Sequence, residues 1–166
     1  MVRVPLYSGF RPASEAASRS KRANGRDGGR AERLLRQAVW RLGMRFHKHA
    51  CDLPGRPDLI FSRARVCVFV DGDFWHGRNW PTLRERLLHR ANADYWVPKI
   101  ARNMERDSEQ AHALEALAWT VIRIWETDIL SDPQAAASRV WNEINRDFGS
   151  GCDHQRAMAQ DAGRTE

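Results

Sequence analysis

The stretch Pro54–His76, PGRPDLIFSRARVCVFVDGDFWH, decides how the rest of this chain is read. Leu59–Phe61 is a short apolar run between the Pro54 and Pro57 cluster and Ser62–Arg63. Val66–Val70 is a second run, rich in β-branched residues and stopped by Asp71–Gly72. Two such runs a few residues apart predict an antiparallel hairpin. Asp58 opens the first strand, Asp71 and Asp73 close the second, and His76 follows. A hairpin sets the start of one strand beside the end of its partner. Asp58 and Asp71 are therefore expected to meet at one edge of the sheet, with His76 within reach. Carboxylates gathered in this way repel unless a cation joins them. Mg²⁺ is suited to that role, because it uses one or two protein carboxylates with water and phosphate for the rest. Acids after strands also cap turns, and for a lone Asp-Gly that reading suffices. Pro-Asp, Asp-Gly-Asp and a nearby histidine together point instead to a metal-dependent site.

Upstream, Ala31, Leu34, Leu35, Ala38, Val39 and Leu42 recur at helical spacing, so residues 30–42 predict a helix with Gly43 as its stop. Glu32 borders the apolar face. An acid in a first turn gains from the helix dipole, or it points at the same site as Asp58. Met44–Cys51 alternates weakly and reads as an edge strand, with His47 and His49 on the surface. Residues 1–29 lack apolar periodicity and are basic and Gly-rich, which predicts a flexible arm whose Lys21, Arg22 and Arg26 meet a phosphate backbone. For Met1–Ala17 a tail without a role is the alternative.

Downstream, Gly77–Asn92 carries Arg78, Arg84, Arg86 and Arg90 and predicts a basic surface excursion, with a short helix around Leu83–Leu88. Asp94–Ala118 predicts a longer helix, regular from Pro98 onward. Its stripe of Ile100, Met104, Ala111, Leu114 and Ala118 contains Asp107. A buried carboxylate costs several kcal/mol unless paired, so Asp107 needs an inward partner, and a histidine is the usual one. Arg102 and Arg106 of its own helix point elsewhere. Trp119–Trp125 predicts a buried strand ending in Glu126–Thr127. Pro133–Asp147 predicts a closing helix, capped by Asp132, with Ala137, Val140, Trp141 and Ile144 inward. Gly149–Glu166 is polar and reads as a loose tail. The expected division is an arm at 1–29, a catalytic domain at 30–148 and a flexible tail at 149–166, in an α/β sandwich with a mixed sheet.

The 166 residues suit one domain. Lys and Arg total 27 against 21 acids, a net charge of +6 carried mostly by arginine, which favours a polyanionic partner over a merely soluble basic protein. No apolar run approaches the roughly 18–20 residues of a membrane span, and no signal-type apolar region follows Met1. Cys51, Cys67 and Cys152 make no disulfide framework, which suits a reduced, cytoplasmic protein.

The ordered motifs resemble the Vsr-type very short patch repair (DNA mismatch) endonucleases of the PD-(D/E)XK superfamily. They are the Ser20–Lys21 arm, Glu32, LPGRPDLIF at Leu53–Phe61, Asp71-Gly-Asp-Phe-Trp-His76, YWVPKIARNMERD at Tyr95–Asp107 and WTVIRIWE at Trp119–Glu126. The resemblance runs from about Arg19 to Ile129. It implies a restriction-endonuclease-like αβββαβ core with a mixed sheet flanked by helices, and Mg²⁺-dependent hydrolysis of a phosphodiester in double-stranded DNA. By that resemblance Asp58 is the central metal-bridging acid, with the Val70 backbone carbonyl as a second ligand. His76 is the general base and Asp107 its hydrogen-bond partner. Glu32 reaches the metals through their water shell. Phe74 and Trp75 form a wedge entering the base stack, and Arg78 joins the arm in contacting phosphates. A monomer is implied, with a DNA methyltransferase or repair machinery as candidate partners.

The departures are specific. Well-known family members carry a histidine where Asp71 stands, which makes Asp71 a candidate catalytic residue or further metal ligand. They hold a structural zinc where this chain has Asp73, Arg78, Trp80 and Thr127, so no zinc is expected, and Trp80 packing is the expected substitute. Ala23-Asn24-Gly25 lacks the large apolar wedge of the family's arm. Two further functions stay open beside nicking at a T·G mismatch: a defence or restriction-type nuclease without mismatch specificity, and a non-catalytic DNA-binding module.

Overall fold

The hairpin turns where Ser62–Arg65 supplies a tight reversal: the Ala64 N–H donates to the Phe61 carbonyl at 3.1 Å, and Arg65 takes a positive φ of 52°. In this computed structural model, residues 29–48, 52–90 and 92–160 are described, those from 147 onward by backbone alone. Strand β1 (Leu59–Phe61) runs antiparallel to β2 (Val66–Asp71), with Leu59 opposite Val68. Two helices follow, α2 (Trp80–Leu88) and α3 (Ala93–Ala116), after α1 (Arg30–Arg41) at the start. Strand β3 (Thr120–Trp125) then joins β2 in parallel, giving a mixed sheet in the order β1-β2-β3. A short α4 (Glu126–Ser131) and a long α5 (Pro133–Gln160) complete the described chain.

Strand alternation sends alternate side chains to opposite faces. Leu59, Phe61, Val66, Val68, Ile122 and Ile124 pack with Leu35 and Val39 of α1, Ile129 of α4, and Ala137 and Val140 of α5. Each fully buried Leu, Ile or Val there contributes about 1.5–3 kcal/mol relative to exposure. On the other face Cys67 and Phe69 meet Leu114 of α3. Burial there pushes the Cys67 thiol up to about 11, so it remains a neutral packing group. The two faces differ in their buried charge: α3 brings Asp107 toward the end of β2 where Asp71 lies, while α1 contributes Glu32.

Several expectations are corrected. Among the described residues, the expected edge strand at Met44–Cys51 is one isolated bridge between His47 and Ile60. Helix α2 begins at Trp80, with Pro81 in its first turn, and so is longer than the Leu83–Leu88 reading. Helix α3 begins at Ala93 and keeps Pro98 inside. Pro98 lies in the second turn, where its missing N–H removes one backbone bond without ending the helix. The strand-end pair Glu126–Thr127 opens α4, whose buried residue is Ile129, too little for a periodic signature. Trp141 is 44% exposed rather than inward, while Val140 faces the core. The closing helix continues past Asp147 to Gln160. The basic residues Lys21, Arg22 and Arg26 lie outside the described residues.

Candidate active site

The parallel register places Phe69 beside Arg123 and Asp71 beside Trp125, all on the α3 face. Asp71 is 2% exposed, and Arg123 grips it with two prongs, Nε to Oδ2 at 2.6 Å and Nη2 to Oδ1 at 2.7 Å. The guanidinium also lies over the Phe69 ring at 5.0 Å. Burial would favour the neutral form of Arg123, but the hydrogen bond and charge of Asp71, with Asp107 behind them, outweigh it and hold the group more basic than usual.

Helix α3 brings Asp107 to the same place. Its Oδ2 lies 2.5 Å from His76 Nδ1, and Arg106 Nη2 donates to its Oδ1 at 3.3 Å. Arg123 Nη2 is 3.4 Å from Asp107 Oδ2, and Nη1 donates to the Asp107 carbonyl at 3.4 Å. His76 Nδ1 is also 3.6 Å from Asp71 Oδ1 and 3.3 Å from Arg123 Nη2. An arginine cannot accept, and the shortest contact is to a carboxylate. Nδ1 is therefore assigned as the N–H that donates to Asp107, which leaves the lone pair on Nε2. The inward partner that Asp107 requires is His76.

Asp58 sits half-buried where β1 begins. Its N–H donates to the Val68 carbonyl at 2.9 Å, and its Oδ2 accepts from the Val70 N–H at 2.7 Å. Its bonds thus run to the β2 backbone, while those of Asp71 run to Arg123. Each acid thus has its own anchor at the edge where β1 begins and β2 ends. Glu32 is buried and accepts from Arg36 Nη1, one turn further along α1, at 2.6 Å. Among the described residues no group of three or more His, Cys, Asp or Glu is arranged to hold a metal ion. A hard cation completed by water and phosphate does not need one, and the Asp58 carboxylate beside the Val70 backbone fits such an ion.

The loop that carries His76 is fastened at both ends. The His76 N–H donates to the Gly72 carbonyl at 3.1 Å, and Asn103 of α3 donates to the Trp75 carbonyl at 3.0 Å. Arg78 clasps Asp73 at 2.9 Å and Asp128 at 2.6 Å and donates to the Thr127 hydroxyl, which itself donates to Asp73 at 2.6 Å. Three of the four positions that hold zinc in well-known family members, Asp73, Arg78 and Thr127, thus form an arginine-centred clasp that ties the loop to α4. Arg78, the residue expected at a phosphate, carries these bonds with its side chain 36% exposed. Burial alone would raise the Asp73 pKa, but hydrogen bonds from Thr127 and Arg78 lower it overall. The sign follows: a depressed carboxylate stabilises above its unfolded value, near about 4, and that contribution is lost as pH falls through the folded value. We expect Trp75 fluorescence to report loop loosening below about pH 4 in the native protein, and Asp73→Asn to remove that acid transition. An unchanged transition in the variant would assign it to another carboxylate.

Gly77 has a φ of 71°, and a Cβ there would collide with Met104 Sδ and lie 3.1 Å from its Cγ. Gly77→Ala should cost about 1–3 kcal/mol, from left-handed strain and overpacking together. Thermal unfolding measures it, and a neutral effect would mean that Met104 moves freely. Phe74, Trp75 and Trp96 form a triangle of edge-to-face rings with centroids 5.2, 5.4 and 5.6 Å apart. Trp75 is 48% exposed, so the rings make an aromatic prow rather than core.

Sequence reasoning missed Arg123, Trp96 and Asp128. An arginine at the centre of an otherwise apolar strand, with an acid ending the neighbouring strand, was the available signal for Arg123. Trp96 gave the same kind of sign as Trp75. Asp128 gave none, because its role exists only once α4 has turned it toward Arg78.

The profile of the family described as DNA mismatch endonuclease Vsr matches residues 13–82. The type II nicking enzyme V.NmeDIP of Neisseria meningitidis serogroup C is 34% identical over 126 residues, 76% of this chain and 84% of its own length. The chain belongs to the Vsr family. The type II nicking enzyme V.XorIIP of Xanthomonas oryzae pv. oryzae is 40% identical over 116 residues, covering 70% of this chain and 82% of its own. The DNA mismatch endonuclease Vsr of Escherichia coli K12 is 31% identical over 95 residues, 57% of this chain and 59% of its own. As a Vsr-family protein the chain is a DNA endonuclease, a hydrolase that cleaves DNA. Among the described residues no helix is long and apolar enough to cross a membrane.

Proposed function

We propose that this Vsr-family endonuclease nicks one strand of duplex DNA at a T·G mismatch, in a Mg²⁺-dependent reaction on a PD-(D/E)XK-type core. The observation that carries the reading is the His76–Asp107 pair at 2.5 Å, set at the end of the strand whose backbone holds Asp58. Asp58 and the Val70 carbonyl would hold the metal, and Glu32 would contact its water shell. Bound there, the ion supplies charge neutralisation at the phosphate and acidifies a water. His76 accepts a proton at Nε2 from the attacking water, as the new P–O bond forms and the old one breaks. Asp107 keeps the other ring nitrogen protonated and fixes the ring plane.

Phe74, Trp75 and Trp96 offer a rigid apolar edge for insertion into the base stack, at low entropic cost because the rings brace one another. The basic residues Lys21, Arg22 and Arg26 of the arm at 1–29 contact phosphates ahead of the catalytic domain. The protein acts as a monomer on cytoplasmic DNA. A second reading, a nicking enzyme with sequence rather than mismatch specificity, is favoured by the relatives named type II nicking enzymes and by the small residues at Ala23-Asn24-Gly25. A dead binding module fits poorly with an aligned histidine–carboxylate pair.

A strand-labelled duplex with one T·G mismatch, compared with its fully paired control in Mg²⁺ and in chelator, tests the proposal. A Mg²⁺-dependent nick in the mismatched duplex alone is expected. Equal cutting of both duplexes moves the assignment to the second reading, and cutting in chelator removes the metal from it.

A further inference from the structure

Two acids flank one imidazole nitrogen in this site. His76 Nδ1 is 2.5 Å from Asp107 and 3.6 Å from Asp71, and both carboxylates are buried. Two buried acids competing for one ring leave its orientation undecided unless one of them is otherwise engaged. Arg123 engages one. Its Nε and Nη2 take both oxygens of Asp71 at 2.6 and 2.7 Å, a planar fork matched to a carboxylate, whereas its contacts with Asp107 are longer, at 3.4 Å. The difference is large enough to decide the partition. Asp71 belongs to the arginine and Asp107 to the histidine.

We propose that Arg123 is a positioning residue for the cleavage reaction: by occupying both oxygens of Asp71 it leaves Asp107 as the acceptor for His76 Nδ1–H, and so fixes the ring with Nε2 turned from both acids. The inference rests on the reading of His76 as the proton acceptor. It also gives Asp71 a role that needs no metal: the acid and Arg123 form a matched pair, and each is required because the other is present. Arg123 never touches the reacting atoms. It acts through His76.

The test is a kinetic cycle on whichever duplex the native protein nicks, T·G or fully paired, run well below the melting temperature of the least stable variant. Arg123→Met releases Asp71 to compete for the ring, and kcat should fall about 10–100-fold with little change in KM, as for groups that orient a catalytic histidine. Arg123→Lys, which keeps the charge but not the fork, should fall between and serves if the methionine variant does not fold. Adding Asp71→Asn to Arg123→Met removes the competing charge, and kcat should rise again by about tenfold over the single variant, since neighbouring sites couple non-additively. In a His76→Ala background, Arg123→Met should cost nothing further.

A single-variant loss that persists at full size in the His76→Ala background would overturn the positioning role while leaving His76 as proton acceptor. A normal rate in His76→Ala alone would instead sink the parent reading. Equal kcat in native protein and folded Arg123→Met would also overturn the proposal, because it is the result a purely structural ion pair predicts. The Nδ1–H proton resonance of the His76 ring gives a readout free of DNA. The short bond to Asp107 should hold it far downfield in the native protein; Arg123→Met should move it as Asp71 competes for the same N–H, and the paired variant should return it. An unmoved resonance in Arg123→Met refutes the partition.

Discussion

Asp58→Asn should abolish DNA cleavage, lowering the rate by about 10³-fold or more while duplex affinity stays within a few-fold of native. A carboxylate that gathers a divalent cation contributes several kcal/mol to the stabilisation of developing phosphate charge, and about 4 kcal/mol corresponds to three orders of magnitude in rate. Asparagine is the cleaner substitution here. The Val70 N–H donates to Asp58 Oδ2 at 2.7 Å, and an amide oxygen can go on accepting that bond. Alanine would strand the N–H and cost about 1–3 kcal/mol of stability, mixing an unfolding effect with the chemical one. Single-turnover nicking and a binding isotherm on the same labelled duplex separate the two quantities. A variant that cuts at near-native speed would remove Asp58 from the centre of the site and direct attention to the acids on the α3 face.

His76→Ala should lower kcat by about 10²–10⁴-fold, the usual contribution of a positioned acid–base group, without lowering the melting temperature appreciably. The ring is partly exposed and its loop is held by other bonds: Arg78 to Asp73 and Asp128, and Asn103 to the Trp75 carbonyl. Asp107, once deprived of the imidazole, still faces Arg106 and Arg123, so its charge is not left uncompensated. The companion variant Asp107→Asn should lose less, about 10–100-fold, because the histidine survives but its tautomer and plane are no longer fixed. If His76→Ala keeps its rate within tenfold of native, the proton goes elsewhere. If Asp107→Asn is the more damaging of the two, the carboxylate rather than the ring is the acceptor.

The amino-acid order alone determined the hairpin, the helix with its inward acid and the position of the last strand, although that strand buries only Ile122 and Ile124 where the whole run reads as buried. These features are written in local periodicity. The short, uninterrupted apolar runs at Leu59–Phe61 and Val66–Val70, bounded by turn residues, fit strands buried on both faces. A carboxylate in the stripe of Ile100, Met104, Ala111 and Leu114 is forced inward wherever that helix packs. Even the need of Asp107 for an inward cation or histidine followed from the cost of burying its charge. The same local signals turned Trp141 inward and began the regular part of α3 at Pro98, whereas Trp141 is exposed, Val140 faces the core and α3 is regular from Ala93.

The tertiary structure alone decided who meets whom. His76 and Asp107 are 31 residues apart, and Arg123 and Asp71 are 52 apart. Periodicity states which face a side chain occupies, not which neighbour awaits it there. That choice is set by the parallel register of β2 on β3, which carries Arg123 to the end of β2, and by the angle at which α3 crosses the sheet. The clasp of Arg78 on Asp73, Thr127 and Asp128 arises in the same way, from a helix turn whose only local signal was a single buried isoleucine. Local chemistry fixes the elements and the charges that must be paired. Long-range packing selects the pairs, because only it brings the donors and acceptors within hydrogen-bond distance.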